Sequence, residues 1–171
     1  MALWPVWLVR ADEPRREVRE LSEHYVYNDG GRAEAGFKGT TGDCVTRTIA
    51  IAAELPYKQV YDDLSARTKA DPKSRRRRTK ANPYGAKMVS AIYGVNKRVY
   101  KPYLDELGWK WTPTMQIGSG CQVHLTPEEL PSGRIIVRLS RHLCAVVDGI
   151  VHDTHDPSRD GTRCVYGYWS K

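Results

Sequence analysis

Cys44 is the residue best placed in this chain to act as a nucleophile. It stands in the run Gly42-Asp43-Cys44-Val45, after a Gly/Thr loop and before a segment of helical texture. A thiol in the first turn of a helix sits among unpaired backbone N–H groups at the positive end of the helix dipole. That setting favours thiolate, the reactive form. Asp43 is the expected N-cap, and its negative charge next to the thiol works against ionisation.

A base and an orienter lie far downstream. Asp148-Gly149, between two apolar runs, predicts a two-residue hairpin turn. Val147 then pairs with Ile150, Cys144 with Asp153 and His142 with His155. Strand side chains alternate faces, so His142, Cys144 and Val146 share a face with Val151, Asp153 and His155. Asp153 becomes a diagonal neighbour of His142, and His152 points away. The chemistry follows from the types. Cys44 attacks a carbonyl carbon, His142 takes and returns the proton, and Asp153 fixes the imidazole. The Cys44 N–H serves as one oxyanion donor. Cys144 is expected to pack beside the site.

The elements that must position these residues can be read from periodicity. Val45, Ile49, Ala52 and Ala53 form the apolar stripe of a helix that Pro56 ends. A second helix is expected from Pro56-Tyr57 to about Thr68. A charged helix is expected over 10–25, with Val18, Leu21 and Tyr25 as its stripe. Asn28-Asp29-Gly30-Gly31 is a turn. Shorter helices are expected over 84–93 and 101–107, and one capped helical turn over 125–130. Strands are expected over 109–112, 134–139, 142–147, 150–153 and 164–169. The expected fold class is α+β, with N-terminal helices, including the one that carries Cys44, packed on a C-terminal antiparallel β-sheet. The whole of 1–171 reads as a single domain, with 1–36 an N-terminal arm and helix and 69–83 a basic, mobile loop.

Composition narrows the setting. Hydrophobic residues make up 40% and charged residues 27% of 171, which suits a water-exposed globular domain. No apolar run is long enough to span a membrane, so no membrane partner is expected. The apolar start lacks the pattern of a signal peptide. The four cysteines, Cys44, Cys121, Cys144 and Cys164, form no C-x-x-C and are expected to be reduced thiols in a cytoplasm. Cys121-Gln122-Val123-His124 lacks a second ligand pair, so neither a metal nor a cofactor is expected. The net charge of +7 comes from one place. Residues 73–101 hold ten Lys and Arg and no Asp or Glu, so the rest of the chain is weakly acidic. Arg75, Arg76, Arg77 and Arg78 are the densest part. They are candidates for holding nucleic acid or an acidic host protein.

The order Cys44, His142, Asp153 on a helix start and neighbouring strands resembles the papain-like cysteine peptidase superfamily in its minimal forms. Gly42-Asp43-Cys44-Val45-Thr46-Arg47, 107–115 and the hairpin 142–157 are also similar to a family of small tailed-phage proteins. The resemblance implies a papain-like fold and a thiol hydrolase that cleaves a peptide, amide or isopeptide bond. It also implies a peptide or protein substrate and a host bacterial cytoplasm. Papain-like enzymes usually carry a glutamine shortly before the cysteine, and none precedes Cys44 here. Thr40, Thr41 or Asn28, or a backbone N–H, would have to supply the second oxyanion contact. Two other readings use the same residues. One is a non-enzymatic binding module that relies on the basic segment 73–101. The other is transglutaminase-like acyl transfer through the same triad.

Overall fold

Apolar, β-branched residues dominate the second half of the chain and build its sheet. The structure, a computed structural model, describes residues 24–39, 42–74 and 91–171. Six strands, β1 (Tyr25–Tyr27), β2 (Lys110–Pro113), β3 (Arg134–Leu139), β4 (His142–Val147), β5 (Ile150–Asp153) and β6 (Gly167–Ser170), form one sheet. Their order is β1-β5-β4-β3-β6-β2. All pairs are antiparallel except β1–β5, which is parallel. The helices are α1 (Cys44–Ala53), α2 (Tyr57–Ala70) and α3 (Lys97–Glu106). The class is therefore α+β, with a mostly antiparallel sheet.

The expected hairpin register holds. Val147 pairs with Ile150, Val146 with Val151 and Ala145 with His152. Asp148 (φ 49°) and Gly149 (φ 83°) both take the left-handed backbone that this tight turn requires. His142 opens β4 and Asp153 closes β5, so both stand at the end of the hairpin away from the turn.

Both faces of the sheet are covered. On one, Ile136, Leu143, Ala145 and Trp169 pack with Val45 and Ile49 of α1, Val60 and Leu64 of α2 and Leu104 of α3. On the other, Ile135, Val137, Cys144, Val146 and Val151 pack beneath Leu125, Leu130 and Val165. Strand alternation and helical periodicity thus meet in one layered core. Thr48 reinforces the α1 docking by donating to the Leu143 carbonyl at 3.0 Å. Gly30 (φ 67°) lets the loop before α1 lie against it, where an added Cβ would come within 3.1 Å of the Arg47 carbonyl.

Several expectations are corrected. Tyr25 belongs to β1 and not to a helix: Tyr-Val-Tyr prefers extended backbone, and β5 supplies pairing, with Asn28 N–H donating to the Asp153 carbonyl at 2.8 Å. Lys69 and Ala70 end α2, and Pro72–Ser74 is a 3-10 turn, so the basic loop begins later than expected. Residues 125–130 form turns without a helix. Cys121 and Cys164 are joined in a disulfide, with Cα atoms 5.7 Å apart, so only Cys44 and Cys144 are free thiols. The isolated bridge His124–Cys164 aligns the two segments for it. Residues 10–23 of the expected first helix, residues 84–90, Thr40, Thr41 and Arg75, Arg76, Arg77 and Arg78 lie outside the described residues.

Ile49 has no exposed surface, whereas Ile150 is 40% exposed. Ile49→Ala is expected to lower unfolding free energy by about 2–5 kcal/mol in urea titration. Ile150→Ala is expected to change it by less than about 0.5 kcal/mol.

Candidate active site

The first turn of α1 reaches the open end of the β4–β5 hairpin, and the residues singled out by chemistry meet there. His142 Nε2 lies 2.5 Å from Asp153 Oδ2. With Nε2 so engaged, Nδ1 is the ring nitrogen left for Cys44. The thiol faces this imidazole. Burial opposes thiolate formation at Cys44, but the hydrogen bond and charge of His142, the Leu143 N–H and the charge of Arg47 outweigh it and hold the thiol below its ordinary range. Burial likewise opposes the imidazolium, yet hydrogen bonds to Asp153 and Cys44 push His142 up to about 9. Both shifts run in the direction of a thiolate–imidazolium pair.

Asp153 is held as a carboxylate. Burial would raise its pKa, but His142, the Thr154 N–H and Arg47 lower it. Every oxygen has a partner. Oδ1 accepts from Arg47 Nη2 at 3.1 Å and from the Thr154 N–H at 2.7 Å, while Oδ2 faces His142. A carboxylate satisfied in this way cannot rotate off the imidazole without losing several charge-assisted bonds.

Arg47 extends the chain of contacts inward. It is 2% exposed and places one nitrogen on Asp153 and another on Asp43, which is fully buried. Asp43 also takes Arg32 Nε at 3.0 Å and the Tyr57 hydroxyl. Arg32 in turn donates to the carbonyls of Phe37 (3.0 Å) and Lys38 (3.1 Å), fixing the loop before the cysteine. Asp43 accordingly makes no side-chain cap bond to α1, contrary to expectation. Its charge is answered by two guanidinium groups. The carboxylate beside the nucleophile is an anchor and not an opponent.

Asn28 is not an oxyanion donor, a second correction. Its Oδ1 accepts the Gly30 N–H at 2.8 Å, and its Nδ2 lies 3.2 Å from His152 Nδ1. The Asx turn takes its acceptor, and His152 takes its donor. It borders a cleft with Ala50, Ile51 and His152, separate from the one containing Cys44. Cys144 is fully buried and its thiol is pushed up by burial, so it packs behind the site. The His155 ring lies tilted against that of His142, with ring centroids 5.2 Å apart. His124 pairs with Glu129 at 3.2 Å. No group of His, Cys, Asp or Glu among the described residues could hold a metal ion.

Sequence reasoning did not single out Arg47 or Arg32. A signal for Arg47 existed, since Asp43 and Arg47 have the i, i+4 spacing of a helical ion pair. Its burial could not be read without knowing that α1 lies flush on the sheet.

Removing one partner of a buried ion pair leaves an uncompensated charge. Arg47→Met is expected to lower unfolding free energy by about 3–5 kcal/mol in urea titration, because Asp43 and Asp153 both lose a cation. Loss of less than about 1 kcal/mol would show that the pair carries little weight.

The chain matches no protein-family model, no curated protein and no solved structure.

Proposed function

We propose that this protein is a papain-like thiol hydrolase that cleaves a peptide, amide or isopeptide bond. The observation that carries the reading is the Asp153–His142 contact behind a thiol whose pKa is lowered by that same histidine. A buried Cys without a base would shift the other way, as Cys144 does.

The steps balance as follows. The Cys44 thiolate attacks the substrate carbonyl carbon, and the C=O electron pair moves to oxygen. The Cys44 N–H, at the start of α1, stabilises that oxyanion. The intermediate collapses, the C–N bond breaks, and the His142 imidazolium protonates the leaving amine. Neutral His142 then takes a proton from water, which attacks the thioester. A carboxylic acid leaves and the pair is restored. Asp153 and Arg47 keep the ring oriented throughout. Acyl transfer differs only in the last step, where an amine takes the place of water.

No helix among the described residues is long and apolar enough to cross a membrane. The substrate is reached through the open cleft beside Cys44, which Gly42, Tyr93, Gly94 and Val95 line.

The test is digestion of a proteome-derived peptide library, with products read by mass spectrometry. Cys44→Ala is expected to cut at least about a thousandfold more slowly, with an unchanged circular dichroism spectrum. The rate should fall as pH rises through about 9, where His142 loses the proton the leaving amine needs. Cleavage that survives Cys44→Ala would overturn the reading, and so would the absence of any cut peptide.

A further inference from the structure

The cleft that holds Cys44 has a volume of about 720 Å³. Lys73, Lys97, Arg98, Arg138 and Arg141 line it, and among the described residues no Asp or Glu does. Such a cleft has a strong positive field. Not every cation is available. Arg98 is paired with Asp71 at 2.5 Å, and Lys73 and Arg141 project from the exposed rim. Lys97 and Arg138 differ from these. Both are half-buried, and neither has a carboxylate partner among the described residues.

The two are fixed by aromatic rings. Lys97 Nζ lies 5.0 Å from the centre of Trp111, and the Arg138 guanidinium lies 6.0 Å from that of Tyr166. Trp111 can occupy its place because residue 167 is glycine: an added Cβ there would meet the Trp111 ring at 2.4 Å. Arg138 sits opposite Gly167 on the neighbouring strand. The two cations also feel each other. Burial, then Arg138, then Lys101 lower the pKa of Lys97. Two like charges, half-desolvated and unanswered by any acid among the described residues, are a cost to the folded chain unless an anion joins them.

We propose that Lys97 and Arg138 form a subsite that selects polypeptide substrates carrying an Asp or Glu side chain next to the bond that Cys44 attacks. This rests on the hydrolase reading above. A carboxylate placed between the two would satisfy both and remove their mutual repulsion. Arg138 can grip it with two parallel N–H groups, which an ammonium cannot do. Nucleic acid fits less well. It offers no acyl carbon to the thiolate, and base stacking needs open ring faces. The ring faces of Trp111 and Tyr166 are already taken by the two cations.

The test separates selectivity from cleavage. The inert Cys44→Ala protein is titrated with a fluorescent glutamate-rich peptide, its glutamine counterpart and a single-stranded DNA of equal charge. Tight binding of the acidic peptide alone is expected, weakened about tenfold or more by Lys97→Gln with Arg138→Gln. Unfolding temperature shows that these variants remain folded. In the library digestion, bonds cut by the wild type should be enriched in neighbouring Asp or Glu, and Arg138→Glu should remove that enrichment. Equal binding of both peptides, or tighter binding of DNA, overturns the proposal. So does acidic-peptide binding that the double substitution leaves untouched. Selective binding without cleavage would leave the subsite standing and remove the hydrolase reading.

Discussion

The architecture of this protein depends on a guanidinium buried between two carboxylates. Arg47, on α1, joins Asp43 of the preceding loop to Asp153 at the end of β5. Taking an arginine from water into a protein interior costs several kcal/mol. The cost is offset only if every neighbouring charge is answered. Here Arg32 and Arg47 balance Asp43 and Asp153. The network ties together the loop at 28–39, the helix that carries Cys44 and the strand that carries Asp153. It converts the docking of α1 into the alignment of Cys44 with His142. The hydrophobic layers place helix on sheet, and the ion chain then selects the position within that placement.

This arrangement explains a sequence feature that looks unfavourable. An aspartate beside a nucleophilic cysteine should suppress the thiolate. The Cys44 thiol is nonetheless held below its ordinary range, and the oxygens of Asp43 are committed to Arg32, Arg47 and Tyr57. The same side chain would otherwise have capped α1. The first N–H groups of the helix are thus left without that cap, on the side where an oxyanion would form. An anchoring role and an open helix start are two consequences of one buried carboxylate.

The hairpin was legible because its determinants are local. Asp148-Gly149 admits few turn types, and a period of two then dictates which side chains share a face. His142 and Asp153 follow from those two facts alone. The α+β class followed from where helical and alternating textures lie in the chain. Long-range partners were illegible. Tyr25 fits a helical stripe by spacing, and only β5, more than a hundred residues away, makes it a strand. Cys121 and Cys164 look unrelated until the bridge between His124 and Cys164 aligns them. Asn28 has the chemistry of an oxyanion donor, but its Nδ2 lies against His152 on β5. Lys97 and Arg138 lie far apart in sequence. Only the contacts of Tyr100 with Trp169 and of Lys97 with Trp111 bring the start of α3 to the wall that holds Arg138.

The central claim is that Asp153, His142 and Arg47 hold the Cys44 thiol below its ordinary range. The pH dependence of iodoacetamide labelling at Cys44, read by peptide mass spectrometry in the wild type and in His142→Ala, tests it most directly. In the wild type, rapid labelling should persist well below the ordinary thiol pKa of about 8.5. In His142→Ala the profile should move up to that value or above, because burial then acts unopposed. Superimposable profiles with an ordinary thiol midpoint in both proteins would contradict the account.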